Sequence, residues 1–167
     1  MFARKTIDAF GLDTQIISID PQPRAEFDAL CTEVVCVPFE DLPPSFIDAI
    51  GSDDLLFVDN SHRAFPNSDV TAFFLEVLPR LPAGTLYVLH DIFLPSDCPE
   101  RWLHRHYSEQ YLLAAYLLGG GDRDSILFPC QFVSRQGLDW PELRALTAEI
   151  GFSNTTRLGS CLWMTKG

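Results

Sequence analysis

Positive charge is scarce in this sequence. Its 167 residues include 12 Lys and Arg against 23 Asp and Glu, which gives a formal net charge of −11. Because an acidic surface repels phosphate backbones, we do not expect a nucleic acid as partner. The composition, with 47% hydrophobic and 12% aromatic residues, is typical of a globular protein with a substantial core.

Long hydrophobic runs are also absent. The longest apolar run in the C-terminal half, residues 112–118, is far too short to cross a bilayer. The N-terminal stretch MFARKTIDAFG has basic residues but no apolar signal-peptide core. We therefore expect a cytoplasmic protein without a membrane partner. The five cysteines show no C-x-x-C spacing, and isolated cysteines of this kind are usually small buried hydrophobic residues.

The pattern that remains alternates between helix-like and strand-like segments. Strands are predicted at residues 14–20, 33–37, 55–59, 85–90, 125–133 and 160–165. Helices are predicted at residues 2–10, 23–31, 45–50, 68–81, 99–118 and 139–150. This alternation favours an α/β fold with βαβ crossovers and a parallel sheet. We expect one domain over residues 1–167.

Two apolar runs end in the same kind of chemistry. Residues 53–63 read DDLLFVDNSHR, and residues 84–93 read GTLYVLHDIF. The first run stops in Asp59 and His62, and the second stops in His90 and Asp91. In an open parallel α/β sheet, ligands bind just beyond the carboxyl ends of neighbouring strands. If these two strands are neighbours, their ends form a reaction site.

Several segments together carry a family resemblance: FARKTID, ISIDPQPR, LLFVDNSHR, SDVTAFFLEVLPRL, LHDIFLP and SEQYLLAAYLL. Over residues 2–133 the chain resembles class I S-adenosylmethionine-dependent methyltransferases, and more narrowly bacterial methyltransferase-like proteins often found beside glycan genes. The resemblance implies a Rossmann-like, doubly wound, three-layer α/β/α fold with a mostly parallel sheet and an antiparallel last strand. The family's first strand and glycine-rich loop have no counterpart here, so we expect the domain to be N-terminally incomplete.

The resemblance also implies how S-adenosylmethionine is held. Asp20 matches the acidic residue that binds the ribose hydroxyls, although a turn-forming Asp-Pro is the simpler alternative. Glu40 lies in the turn that approaches the adenine. Asp59 and His62 follow the strand whose end faces the methyl donor and the acceptor.

Metal binding and proton transfer are the further hypotheses for this region. Asp59 and Asp91 offer oxygen ligands for Mg²⁺ or another divalent cation such as Ca²⁺, as in methyltransferases resembling catechol O-methyltransferase. Asp59 is alternatively a helix cap or a hydrogen-bond partner. His62 is the candidate general base, and a polar turn is its alternative. His90 is a further catalytic candidate, or a buried histidine with a local hydrogen bond.

Two readings of the function stay open. The first is methyl transfer from S-adenosylmethionine to an oxygen of a small or sugar-like acceptor. The second is a degenerate, non-catalytic domain that serves binding or assembly, with a homo-oligomer as one form. A polar pair on the helix after the Pro-rich loop, Glu109 and Gln110, either lines an acceptor pocket or lies on a solvated face. A metal-dependent hydrolase is weaker, since no G-x-S-x-G or H-E-x-x-H motif is present.

Overall fold

The computed structural model describes residues 2–23, 25–120, 123–135 and 159–167, together with residues 141, 145 and 148. The chain divides into two compact units, residues 1–48 and residues 49–167, and each is described by itself. The helix predicted at residues 139–150 lies largely outside the described residues. The single-domain organisation stays a prediction.

The first unit pairs two short parallel strands with short helices. Its elements are α1 (Phe2–Phe10), β1 (Ile17–Ile19), α2 (Ala25–Asp28), β2 (Glu33–Val35), a 3-10 turn (Phe39–Asp41) and α3 (Pro44–Asp48). Strands β1 and β2 run parallel, with Ile17 opposite Glu33. Helix α1 ends at Gly11, whose φ of 61° is the left-handed geometry that glycine adopts without strain.

The second unit contains a four-stranded sheet in the order β3-β4-β6-β5. Its strands are β3 (Leu55–Val58), β4 (Leu86–Leu89), β5 (Ser125–Pro129) and β6 (Leu162–Thr165). Strands β3 and β4 are parallel, and β6 runs antiparallel to both of its neighbours, β4 and β5. Three strands therefore share one direction and only the last strand opposes them, as predicted. This parallel-rich, mixed α/β architecture fits a Rossmann-like fold; the three-layer arrangement stays a prediction.

The helix between β3 and β4 begins and ends as its sequence indicates. Ser68 caps α4 (Asp69–Ala72), because its Oγ accepts from the N–H of Thr71 at 3.2 Å while Thr71 Oγ1 accepts from the N–H of Ser68 at 2.9 Å. A π-helical turn (Phe73–Val77) and a 3-10 turn (Leu78–Arg80) continue it. Pro79 has no N–H to donate in a regular α-helical turn, which accounts for the 3-10 geometry of the last turn.

Buried apolar side chains of this helical segment and of β4 form the core of the second unit. Strand β4 has the pattern of a strand covered on both faces, and the fully buried side chains include Phe73, Leu78, Tyr87, Val88, Leu89, Leu113 and Met164. Among the described residues, no helix combines the length and the apolar character that crossing a bilayer requires.

The predicted continuous helix at residues 99–118 is wrong. A 3-10 helix (Glu100–Arg105) comes first, the chain reverses at His106 with a φ of 54°, and α5 (Glu109–Gly119) follows. The break is stabilised from outside the segment, because the N–H of Ser108 donates to the carbonyl of His62 at 2.7 Å. The guanidinium of Arg105 also lies 4.4 Å from the ring centre of Trp102.

The strand predicted at residues 125–133 is only half correct. Strand β5 ends at Pro129, and α6 (Cys130–Arg135) takes the remaining residues. Within α6, Ser134 Oγ donates to the carbonyl of Cys130 at 2.7 Å, the i−4 bond of a helical turn. A short apolar run does not distinguish strand from helix by its pattern alone, which accounts for the error.

Candidate functional site

The ends of β3 and β4 lie side by side at one edge of the sheet. Val58 is opposite Leu89 in the parallel register, and the N–H of His90 donates to the carbonyl of Val58 at 3.0 Å. The next residues therefore leave the two strands at the same level, and Asp59 Oδ1 lies 3.1 Å from His90 Nδ1. The expectation that the two strands deliver their polar residues to one place is confirmed.

His62 reaches the same place from the turn after β3. Its φ of 58° folds the chain back, and its N–H donates to Asn60 Oδ1 at 2.8 Å. The ring is buried, and Nε2 lies 3.5 Å from Asp59 Oδ1 and 3.7 Å from Asp91 Oδ2. We name Asp59, His62, His90 and Asp91 the strand-end cluster.

Asp91 closes the strand-end cluster on the β4 side. It has a φ of 55°, and its Oδ1 accepts from Ser160 Oγ at 2.8 Å while lying 3.5 Å from His90 Nδ1. Ser160 comes from the segment just before β6, where no sequence motif distinguishes it. Only the pairing of β6 beside β4 brings this hydroxyl to the site.

A buried carboxylate supports the strand-end cluster from behind. Glu109, only 2% exposed, stands in the first turn of α5 and its Oε2 lies 2.8 Å from His62 Nδ1. Its Oε1 accepts from Asn60 Nδ2 at 2.7 Å. The solvated-face alternative for Glu109 and Gln110 is wrong, because Gln110 is equally buried and accepts from the N–H of Phe93 at 3.0 Å. A Glu-Gln pair opening an apolar helix was the signal for this role.

These contacts shift the charge balance of the imidazoles. Burial alone would lower the pKa of His62, but its interactions with Asp59 and Glu109, and the charge of Asp91, raise that pKa to about 9. The pKa of His90 is also raised, first by its interaction with Asp59. The same two imidazoles hold the pKa of Asp59 well below its ordinary value, first through His62.

The strand-end cluster has the donor atoms of a metal site. One ligand atom each from Asp59, His62 and His90 lies within 4.8 Å of the other two. The carboxylate of Asp91 lies 3.7 Å from His62 Nε2 and 3.5 Å from His90 Nδ1. Asp59 reaches solvent, with 58% of its side chain exposed, so the site is open on its side.

Two of the three residues predicted to hold the cofactor, Asp20 and Glu40, lie in the first unit. The third, Asp59, belongs to the strand-end cluster of the second unit, and its cofactor role also stays a prediction. Asp20 directly follows β1, and its N–H donates to the carbonyl of Val35 at 3.1 Å. Its Oδ1 accepts from the N–H of Gln22 at 2.8 Å, the contact of a turn-forming aspartate. Glu40 lies, half-buried, in the 3-10 turn after β2. Both cofactor roles stay predictions.

Comparison with known proteins identifies the class of the chain. A family profile described as "Methyltransferase domain" matches residues 1–92, more than half of the 167 residues. The chain therefore belongs to the class I S-adenosylmethionine-dependent methyltransferase family. The match contains β3, β4 and all four residues of the strand-end cluster. Neither the comparison with curated proteins nor that with solved structures finds a significant match.

Proposed function

We propose that this chain transfers a methyl group from S-adenosylmethionine to a hydroxyl oxygen of a small, sugar-like acceptor. Membership of the methyltransferase family supports the use of this donor. The observation that carries the proposal is the strand-end cluster, which stands beyond the carboxyl ends of two neighbouring parallel strands. That edge of an α/β sheet is where ligands bind.

Asp20 and Glu40 are the residues we propose for holding the donor. A carboxylate after a strand suits two hydrogen bonds from the ribose diol. Asp20 accepts a hydrogen bond within its own turn through Oδ1, whereas Oδ2 accepts none from the described residues. When bound, S-adenosylmethionine supplies a methyl group on a sulfonium sulfur, which leaves as a neutral thioether.

The role of the chain itself is to align an oxygen and accept its proton. Asp59 is the exposed member of the strand-end cluster, so we propose that it accepts a hydrogen bond from the acceptor hydroxyl and orients the oxygen. Alignment supplies most of the acceleration in such a transfer. Proton acceptance by His62 stays a prediction and requires the neutral ring. Because the pKa of His62 is raised to about 9, the ring must first lose its own proton to solvent before it can take the proton of the acceptor hydroxyl.

Charge supports a neutral, hydroxyl-rich acceptor. The chain has a net charge of −11, and the strand-end cluster presents the carboxylate of Asp59 to solvent. An anionic acceptor would be repelled by both, whereas a polyol donates hydrogen bonds to a carboxylate.

We also propose a cytoplasmic location, which the five free cysteines favour.

A product assay tests the proposal. The full chain is incubated with S-adenosylmethionine and a panel of neutral sugars and polyols, and mass spectrometry follows S-adenosylhomocysteine and the methylated acceptor. We expect Asp59→Asn to lower kcat/KM at least about tenfold. The matched control, Asp53→Asn at an exposed site before β3, should stay within about twofold. Absence of S-adenosylhomocysteine with every acceptor, or equal loss in both variants, contradicts the proposal.

One observation favours the second reading, a non-catalytic assembly domain. Within its unit β3 pairs only with β4 among the described residues, and Leu55 and Phe57 are 51% and 56% exposed. An unpaired edge with apolar side chains invites pairing with a second copy. Light scattering after size-exclusion chromatography distinguishes a dimer from a monomer. This second hypothesis predicts a dimer that Phe57→Lys dissociates, and a monomeric wild type rejects it.

A further inference from the structure

We infer that the strand-end cluster binds a divalent first-row transition ion, with Asp59, His62 Nε2 and His90 Nδ1 as ligands. The ligand set stands on the geometry of these side chains. The use of the ion, which is to hold the acceptor oxygen and lower the pKa of its hydroxyl, rests on the proposed methyl transfer.

The spacing of the donor atoms fits one ion. Asp59 Oδ1 lies 3.1 Å from His90 Nδ1 and 3.5 Å from His62 Nε2. Ligand atoms bound to a tetrahedral ion at ordinary bond lengths lie about 3.3 Å from one another. The remaining separation, between the two ring nitrogens, is within 4.8 Å, so side-chain rotation has to close it by up to about 1.5 Å.

Glu109 prepares His62 to be a ligand. Metal-binding histidines usually donate their second ring N–H to a carboxylate, which fixes the tautomer and the orientation of the ring. Glu109 Oε2 lies 2.8 Å from His62 Nδ1, and this carboxylate is 2% exposed. With the proton held on Nδ1, the lone pair of Nε2 faces Asp59 and Asp91. An ion bound at Nε2 uses this lone pair, so with the ion in place His62 is a ligand and not the general base.

His90 supplies an independent observation. Its Nδ1 is shielded from solvent and makes no hydrogen bond of good geometry among the described residues, although Asp59 Oδ1 is 3.1 Å away. A buried polar nitrogen without a partner is costly and therefore uncommon. An ion between His90 and Asp59 removes that cost.

The charge of the site also suits a cation. The carboxylates of Asp59 and Asp91 face both imidazoles, and the carboxylate of Glu109 faces His62. Histidine binds metals as neutral imidazole, so the ligand-ready site is net negative and a divalent ion neutralises most of that charge. Ser160 holds Asp91 at 2.8 Å, which positions it as a fourth ligand or as the acceptor for an ion-bound water.

The donor types select the kind of ion. Mg²⁺ and Ca²⁺ prefer sites made of oxygen atoms alone, whereas two imidazoles with carboxylates suit ions such as Zn²⁺, Fe²⁺ or Co²⁺. Because two of the ligands are histidines, we infer a transition ion in place of the Mg²⁺ or Ca²⁺ that the sequence suggests at Asp59 and Asp91. The exposed side of Asp59 leaves a coordination position open to an acceptor.

Titration of the metal-free full chain with Co²⁺ alone tests the inference. We expect one ion per chain by calorimetry, visible absorption bands from the bound ion, and no displacement by excess Mg²⁺. Co²⁺ is a suitable probe because a thiolate ligand would produce a charge-transfer band. The absorption spectrum therefore shows whether any of the five free cysteines binds the ion. A thiolate band, no binding, or displacement by excess Mg²⁺ overturns the inference.

Variants assign the ligands. His90→Gln keeps the size of the side chain, and His90→Ala is the second variant should the first fail to fold. Either should weaken Co²⁺ binding at least about tenfold, and Glu109→Gln should weaken it about tenfold with one ion still bound. The matched control, His104→Ala at an exposed position, should bind as the wild type. Equal weakening in the control overturns the inference.

A parallel titration separates this inference from the proposed function. S-adenosylmethionine is titrated into the metal-free chain, whose binding of the donor does not require the ion. Cobalt binding without donor binding rejects the methyl transfer and leaves the metal site standing. Donor binding without cobalt binding overturns the metal site alone.

Discussion

Replacing Glu109 by glutamine should make the stability of the protein respond differently to pH. Glu109 contributes to raising the pKa of His62 from 6.5 to about 9. A group with a raised folded-state pKa adds stability that is fully present below its unfolded pKa and lost as the pH rises through the folded value. The wild type should therefore lose stability between pH 6.5 and about pH 9. This difference in pKa corresponds to at most about 3 kcal/mol, and to about 1–2 kcal/mol after solvent screening.

Glutamine keeps the shape and the hydrogen bond from Asn60, but it removes the charge facing His62. We expect Glu109→Gln to destabilise by about 1–2 kcal/mol at pH 6, because a charge-assisted hydrogen bond is lost. The difference should shrink below about 1 kcal/mol at pH 10, where the ring is neutral in both proteins. The pKa of His90 is raised in both proteins, so its contribution to the pH dependence cancels when their free energies of unfolding are subtracted. The remaining difference reports the effect of Glu109.

Urea unfolding in the presence of a chelator, followed by tryptophan fluorescence at a series of pH values, measures this effect. Glu100→Gln, at an exposed position in the 3-10 helix before α5, is the matched control and should show no pH-dependent difference. A penalty for Glu109→Gln that is constant from pH 6 to pH 10 would refute the assigned contact between Glu109 and His62.

Two further predictions concern other parts of the second unit. The fully buried carboxylate of Asp124 lies 2.9 Å from Lys166 Nζ. Asp124→Asn should therefore lower the free energy of unfolding in urea by about 3–5 kcal/mol, whereas the control Asp53→Asn, at an exposed position, should lower it by less than about 0.5 kcal/mol. Equal losses in the two variants would contradict the buried ion pair. Burial raises the pKa of Cys161 to about 11, so at pH 8 its thiol should react with iodoacetamide more slowly than that of the exposed Cys36. Mass spectrometry measures both labelling rates, and comparable rates would contradict the burial of Cys161.

The sequence predicts the parts of the site that depend on local pattern. Short apolar runs that stop in Asp and His predict β3 and β4 to within a residue or two, and their parallel pairing then brings Asp59 and His90 together. Ser68 is recognisable as a cap because its contacts lie within one turn. Local rules suffice for these features.

The remaining features depend on contacts between distant segments. Glu109 meets His62 only because the chain breaks at His106, and that break is stabilised by a hydrogen bond to the carbonyl of His62. Ser160 meets Asp91 across 69 positions of sequence, through the antiparallel placement of β6. No local propensity encodes such a contact. The polar Glu109 and Gln110 in an apolar helix signal a buried role, but the partners of Glu109 and Ser160 could not be predicted from the sequence.

Calorimetric titration of the full chain with S-adenosylmethionine tests the central claim most directly. We expect one molecule of donor per chain, competition by S-adenosylhomocysteine, and binding at least about tenfold weaker in Asp20→Asn, because a carboxylate that binds a diol is lost. Asp13→Asn, at an exposed position before β1, should bind as the wild type. Absence of heat and of competition, or equal binding by Asp20→Asn and the wild type, would contradict this account of how the chain holds its methyl donor.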